Sequence, residues 1–234
     1  MAADMVTRVR YLSIAGCLAF ASAGFAQYTM DLTGVGNGNS AEGVYVSPYT
    51  GSIWAGGYSG GGAPQTPALY SNGYLICDDF SDESFVGDVW NASATNAGNL
   101  NGSELFATSY SGYTVQQNYD AVAWLANQLL SGGNVNNATT QTDISFAIWD
   151  IMDGANPSLT ANNPDGGAAS WMSNAFTQVI TDGYIGTNVT VFTPSAEPGC
   201  REQRIPGVPG SRRRAQWWTS GFCAGAVVGC AAGL

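Results

Sequence analysis

Apolar positions fall into three helical stripes flanked by stretches of strand-like residues. Val115, Tyr119, Val122, Ala123, Ala126, Leu129 and Leu130 recur at spacings of three and four, which predicts a helix stopped by Gly132-Gly133. A second stripe, Ile144, Ala147, Ile148 and Ile151 with Trp149 beside it, predicts a helix capped by Thr139 or Thr140 and ended by Gly154. A third, Ala168, Trp171, Met172, Ala175, Phe176, Val179 and Ile180, ends at Gly183.

Strand residues bracket these helices. Residues 43–49 alternate and meet Pro48, residues 69–80 read as a hairpin around Asn72-Gly73, and residues 85–90 read as a strand. After the third helix, residues 184–192 alternate around Thr187-Asn188. Residues 28–40, 55–67 and 91–103 are rich in Gly, Asn, Ser or Pro and read as loops. Helices gathered between two groups of strands predict an α+β domain, an antiparallel β-sheet or sandwich with an inserted cluster of about three helices.

The ends of the chain differ from this core. Arg8 and Arg10 precede an apolar run over residues 11–20 and then small residues up to Ala26, the order of a secretory signal peptide. The run is too short to span a bilayer as a helix. Cleavage is expected after Ala26 or Ala23. Residues 1–26 are therefore read as a signal peptide, 27–193 as one exported domain and 194–234 as a tail. In that tail, five arginines fall within residues 201–214, followed by Trp217-Trp218, Cys223 and Cys230. Its last apolar stretch, 222–234, is thirteen residues long and falls short of a membrane span. Shifted by one base, codons for residues 202–209 permit an apolar run, so the tail is read either as a frameshifted relic of a lost membrane anchor or as a natural basic, disordered tail.

Charge narrows the chemistry. All seven basic residues are arginine, two in the leader and five in the tail, and there is no lysine or histidine. Fifteen of the seventeen carboxylates lie between Gln27 and Gly199, where no cation accompanies them. Such a domain cannot neutralise phosphates, so nucleic acid is excluded as a partner. It also lacks the parts of a Ser-His-Asp triad, a Schiff-base lysine or a P-loop. No small-molecule cofactor is expected. The carboxylates cluster at Asp78, Asp79, Asp82, Glu83 and Asp88, and calcium is the candidate ion for oxygen ligands, with Asp78, Asp79 and Asp82 as candidate ligands. The spacing is not that of an EF-hand, and a solvated turn explains it equally. Asp150 and Asp153 fall near a helix C-terminus, where the dipole disfavours them unless backbone donors from another segment hold them. The exported domain has a single cysteine, Cys77, read as a buried small hydrophobe or a reactive thiol.

Three segments in order carry a resemblance: Tyr74-Leu75-Ile76-Cys77-Asp78-Asp79-Phe80, then Ala123-Trp124-Leu125-Ala126-Asn127-Gln128, then Ile144-Ser145-Phe146-Ala147-Ile148-Trp149-Asp150. The chain resembles exported bacterial proteins of the PEP-CTERM class. Ala196-Glu197-Pro198-Gly199 is a degenerate form of the sorting motif of that class, with Glu197 and Pro198 its remaining residues, and the membrane helix that should follow is absent. The core is also similar to the thioester domains of bacterial surface adhesins. That resemblance implies a bond between the Cys77 thiol and a glutamine at the start of the Ala-Ile-Trp helix. Here that position is Ser145, whose side chain has no carbonyl to acylate. Gln141 lies one turn earlier on the same face, about 6 Å along the axis. Ile144, Ala147, Ile148 and Trp149 form the core of the helix motif.

These readings lead to an expectation of a non-enzymatic exported protein of the cell surface or extracellular matrix, adhesive in role, on a thioester-like scaffold without the glutamine. Its partners are expected to be envelope or matrix components and a sorting protease. The alternatives are an active thioester adhesin, an acidic glycan hydrolase using two carboxyl groups and a calcium-binding surface module.

Overall fold

The computed structural model describes residues 27–41, 43–57, 64, 67–78, 80, 84–102, 112–153 and 167–194, with the backbone of 226–229. The leader, Asp79, Asp82, Glu83, Glu197 and Pro198 lie outside the described residues. The order of elements is β1 (Gln27–Gly34), β2 (Ser40–Ala41), β3 (Val44–Tyr45), β4 (Tyr49–Ala55), β5 (Tyr70–Cys77), β6 (Val89–Asn96), α1 (Val115–Leu130), a 3-10 turn (Asn134–Asn136), α2 (Ala138–Met152), α3 (Gly167–Ile180), β7 (Val189–Pro194) and β8 (Ala226–Gly229). The fold is α+β: a curled, wholly antiparallel main sheet with three described helices inserted between β6 and β7. The sheet order is β1-β4-β5-β8-β7-β6, and the pairing of β1 with β6 closes it into a barrel. β8 comes from the tail and fits between β5 and β7 by backbone pairing.

The two sheet faces serve different cores, as the alternation of side chains requires. Met30, Leu32, Ile53, Leu75, Ala92 and Phe192 form the smaller cluster. Ile76, Val189 and Val191, one position out of phase, join the larger cluster with the three helices. Tyr119, Leu125, Leu129, Ile144, Phe146 and Ile148 dominate that cluster and are almost fully buried.

Helix boundaries follow local chemistry. Thr114 caps α1 in a reciprocal capping box: its hydroxyl accepts from Gln117 N–H, and the Gln117 carboxamide accepts from Thr114 N–H. α2 starts two residues earlier than a Thr139 cap would allow and three earlier than a Thr140 cap, because the Asn137 side chain accepts from Thr140 N–H at 3.1 Å and takes the cap. Asp120 of α1 is buried and accepts from Gly186 N–H at 2.8 Å, which pins the helix to the connection before β7. Gly186 must be glycine there, since a Cβ would stand 2.6 Å from Ala123 Cβ.

The strands depart from the expectations in several places: residues 91–96, read as loop, complete β6, and the strand expected from residue 184 starts only at Val189. Residues 69–80 do not form a hairpin: β5 runs straight through Asn72-Gly73. Asn72 takes a positive φ of 51° inside the strand, near the register shift between β4 and β5 at Gly51/Ile53, so the dipeptide marks an irregularity and not a reversal. Residues 28–34, read as loop, are β1, paired on both sides with β4 and β6. The strand expected at 43–49 is interrupted: β3 holds two residues, and β4 begins only after Pro48. The strand expected at 85–90 lies later, because Asp88 Oδ2 accepts from Phe85 N–H and Gly87 takes φ 96°, which makes 85–88 a turn ahead of β6.

Candidate functional site

The site is the junction of β4, β5 and α2. The register that pairs Tyr49 with Leu75 carries the chain toward Ser47 opposite Cys77. Cys77 N–H donates to Ser47 Oγ at 3.2 Å. Ser47 N–H in turn donates to Ser145 Oγ at 3.0 Å, a bond buried from solvent. Both serines are fully buried. Ser145 therefore connects α2 to the strand pair through Ser47, one residue removed from Cys77.

The other backbone group of Cys77 is also held by α2. Trp149 Nε1 donates to Cys77 O at 3.1 Å. Beyond it, Phe80 N–H donates to Asp153 Oδ2 at 3.1 Å, so a backbone donor from another segment holds this carboxylate at the unfavourable end of the helix. The Phe80 ring packs on Trp149 with centroids 5.2 Å apart, and Phe146 packs on Trp149 at the same separation. The Cys-Asp-Asp-Phe segment thus docks on the Ala-Ile-Trp-Asp helix by two hydrogen bonds and an aromatic cluster. Ile144, Ala147 and Ile148 lie behind it, fully buried in the larger core.

Gln141 is placed differently. Its side chain is buried, its Oε1 accepts from Asn39 Nδ2, and its Nε2 donates to Val135 O. Asn37 Nδ2 donates to the same Val135 carbonyl at 2.6 Å. The carboxamide ties α2 to the 3-10 turn and the loop after β1, which gives Gln141 a positional role one turn away from Ser145.

Cys77 itself is half-buried. Burial pushes the Tyr49 hydroxyl well above its ordinary pKa, and the charge of the neighbouring Cys77 adds to that rise. Tyr49 lies two positions along the chain from Ser47, and its O–H donates to Tyr45 O at 2.7 Å. Asp78 is fully buried at the end of β5. Asp79 and Asp82, the other calcium candidates, lie outside the described residues, and among the described residues no three Cys, Asp or Glu side chains converge as metal ligands.

Ser47 and Tyr49 are site residues that the sequence did not reveal. Their relation to Cys77 depends on the β4–β5 pairing, and residues 49–55 carry no clean alternation that would mark that strand in the sequence. Among the described residues, no helix is long and apolar enough to cross a membrane.

The fold and site define an α+β scaffold in which a cysteine-bearing strand end is clamped by a tryptophan helix. No family model, curated protein or solved structure matches the chain.

Proposed function

We propose that this chain is a non-enzymatic exported protein, displayed on the cell envelope or in extracellular matrix, with an adhesive role. In this reading its core is a thioester-domain-like scaffold in which serine replaces the glutamine. The observation that supports it is the docking of the Cys77 segment on α2, with Ser145 one residue away through Ser47. The resemblance calls for contact between these two segments, which lie 68 positions apart in the sequence. A serine hydroxyl offers no acyl carbon, and the carboxamide one turn earlier, Gln141, is engaged by Asn39 and Val135. The thiol therefore stays unacylated. The leader and the Glu197-Pro198 remnant support export and sorting toward the envelope.

The test is expression of the full chain in a bacterium, followed by fractionation and intact-mass measurement. The expected product is outside the cytoplasm, begins after Ala23 or Ala26, and has the full mass of its sequence. A product lighter by one ammonia would identify an active thioester adhesin and overturn the unacylated reading. An uncleaved chain retained in the cytoplasm would overturn export.

A further inference from the structure

Away from the Cys77 site, α1 and the connection into β7 form the two walls of an open groove of about 350 Å³. Trp124, Asn127, Gln128 and Ser131 lie on one wall, at spacings that put them on one face of α1. Tyr184 and Asn188 form the other. We propose that this groove binds a neutral oligosaccharide.

The chemistry of the lining selects that class. It contains no carboxylate and no cation, and residues 11–200 carry no cation at all, so an anionic ligand finds no counter-charge. What it offers is an indole, a phenol, a hydroxyl and three carboxamides, with the Leu130 side chain beside them. A pyranose presents an apolar C–H face and a rim of hydroxyls that both donate and accept. Carboxamides have that same dual capacity, and a flat aromatic side chain suits the apolar face. A concave site with an aromatic wall and a few fixed polar groups is a usual ligand-binding arrangement.

Part of the groove is pre-organised and part is unspent. Asn127 Nδ2 donates to Tyr184 Oη at 2.8 Å and to Asn188 Oδ1 at 3.2 Å, while Asn188 Nδ2 donates to Asn127 Oδ1 at 3.1 Å. Tyr184 O–H donates to Asn188 Oδ1 at 3.2 Å. These bonds fix the two walls against each other. By contrast, the Gln128 carboxamide and the Trp124 indole N–H have no hydrogen-bond partner among the described residues, although both side chains are half-buried. The Trp124 ring packs against that of Trp171, with ring centroids 6.1 Å apart. A bound sugar hydroxyl meets the unspent donor and acceptor without breaking the frame.

The test is titration of the full chain with cellopentaose, maltopentaose and chitopentaose, followed by intrinsic tryptophan fluorescence and calorimetry, with dextran sulfate as the anionic comparison. At least one neutral oligosaccharide is expected to bind saturably below about 10 mM, and dextran sulfate is not. Gln128→Ala is expected to weaken binding by about tenfold while leaving the melting temperature unchanged, and Trp124→Phe to change the fluorescence response and weaken binding further. Failure of all three neutral sugars, tighter binding of dextran sulfate, or binding unaffected by both substitutions would each overturn the proposal. None of these outcomes depends on Cys77 or on export.

Discussion

Ser145 accepts a buried hydrogen bond from the Ser47 backbone N–H, and Ser47 passes the connection on by accepting from Cys77 N–H. The helix thereby registers the β4 and β5 ends through hydrogen bonds as well as through the apolar cluster that Ile76 shares with it. Removing the Ser145 hydroxyl leaves a buried N–H with no acceptor, which costs its desolvation, about 1–3 kcal/mol. Ser145→Ala is expected to lower denaturant stability by that amount. Ser173→Ala on the exposed face of α3 is the comparison and is expected to stay within about 0.5 kcal/mol of wild type. Equal stability of the two variants would mean that the Ser47–Ser145 bond contributes nothing.

The Trp149 indole makes both a packing and a hydrogen-bonding contribution, and two substitutions separate them. Trp149→Phe keeps a ring against Phe80 and Phe146 but leaves Cys77 O without the indole donor. Its expected cost is about 1–3 kcal/mol. Trp149→Ala also opens a cavity in a fully packed region and is expected to cost about 3–5 kcal/mol. Alkylation of Cys77 by iodoacetamide should accelerate in both variants, because the strand end that carries the thiol loses its clamp. An unchanged alkylation rate in both would show that Trp149 does not control access to the thiol.

Gly186 carries the contact between α1 and the approach to β7. Its N–H is the donor that holds buried Asp120, and its missing Cβ makes room for Ala123 and Ala97. Gly186→Ala forces a Cβ to within 2.6 Å of Ala123 Cβ. Overpacking of this kind costs about 1–3 kcal/mol. The variant should show that loss in chemical denaturation and a weakened Asp120 anchor in amide exchange at position 186. Wild-type protection at that amide would argue that the segment relaxes without strain.

Helices were far more legible in the sequence than strands, for a physical reason. α1 and α3 are amphipathic over four turns, so their apolar stripes match the observed elements to within a residue. β1 was obscured because Gly34, Gly36 and Gly38 dominate its neighbourhood, although Tyr28, Met30 and Leu32 alternate with polar residues. Asn72-Gly73 was misread because its turn preference is local, while the pairing of β4 and β5 on either side of it is tertiary. The same division holds at the site. Cys77, Ile148 and Trp149 stood out through their order along the chain, whereas Ser47 becomes visible only once two strands and a helix are assembled.

Asp150 gives the cleanest pH dependence. It lies near the C-terminus of α2, where the helix dipole already disfavours negative charge. Its Oδ1 is buried and has no hydrogen-bond partner among the described residues, and desolvation raises its pKa above the ordinary 3.8. A carboxyl group whose folded pKa is raised binds more protons in the folded state than in the unfolded state. Stability therefore rises as pH falls through the folded pKa, and the gain is complete below the unfolded value. The penalty is fully present above the folded pKa, including at pH 7. Asp150→Asn removes the charge while keeping the shape, so it should melt higher than wild type at pH 7. That difference should shrink as pH falls through the folded pKa and disappear below about 3.8. Thermal melts of both proteins across that range measure it directly. A variant that melts lower than wild type at pH 7 would show that the ionised carboxylate holds a partner, and the desolvation account of Asp150 would fail.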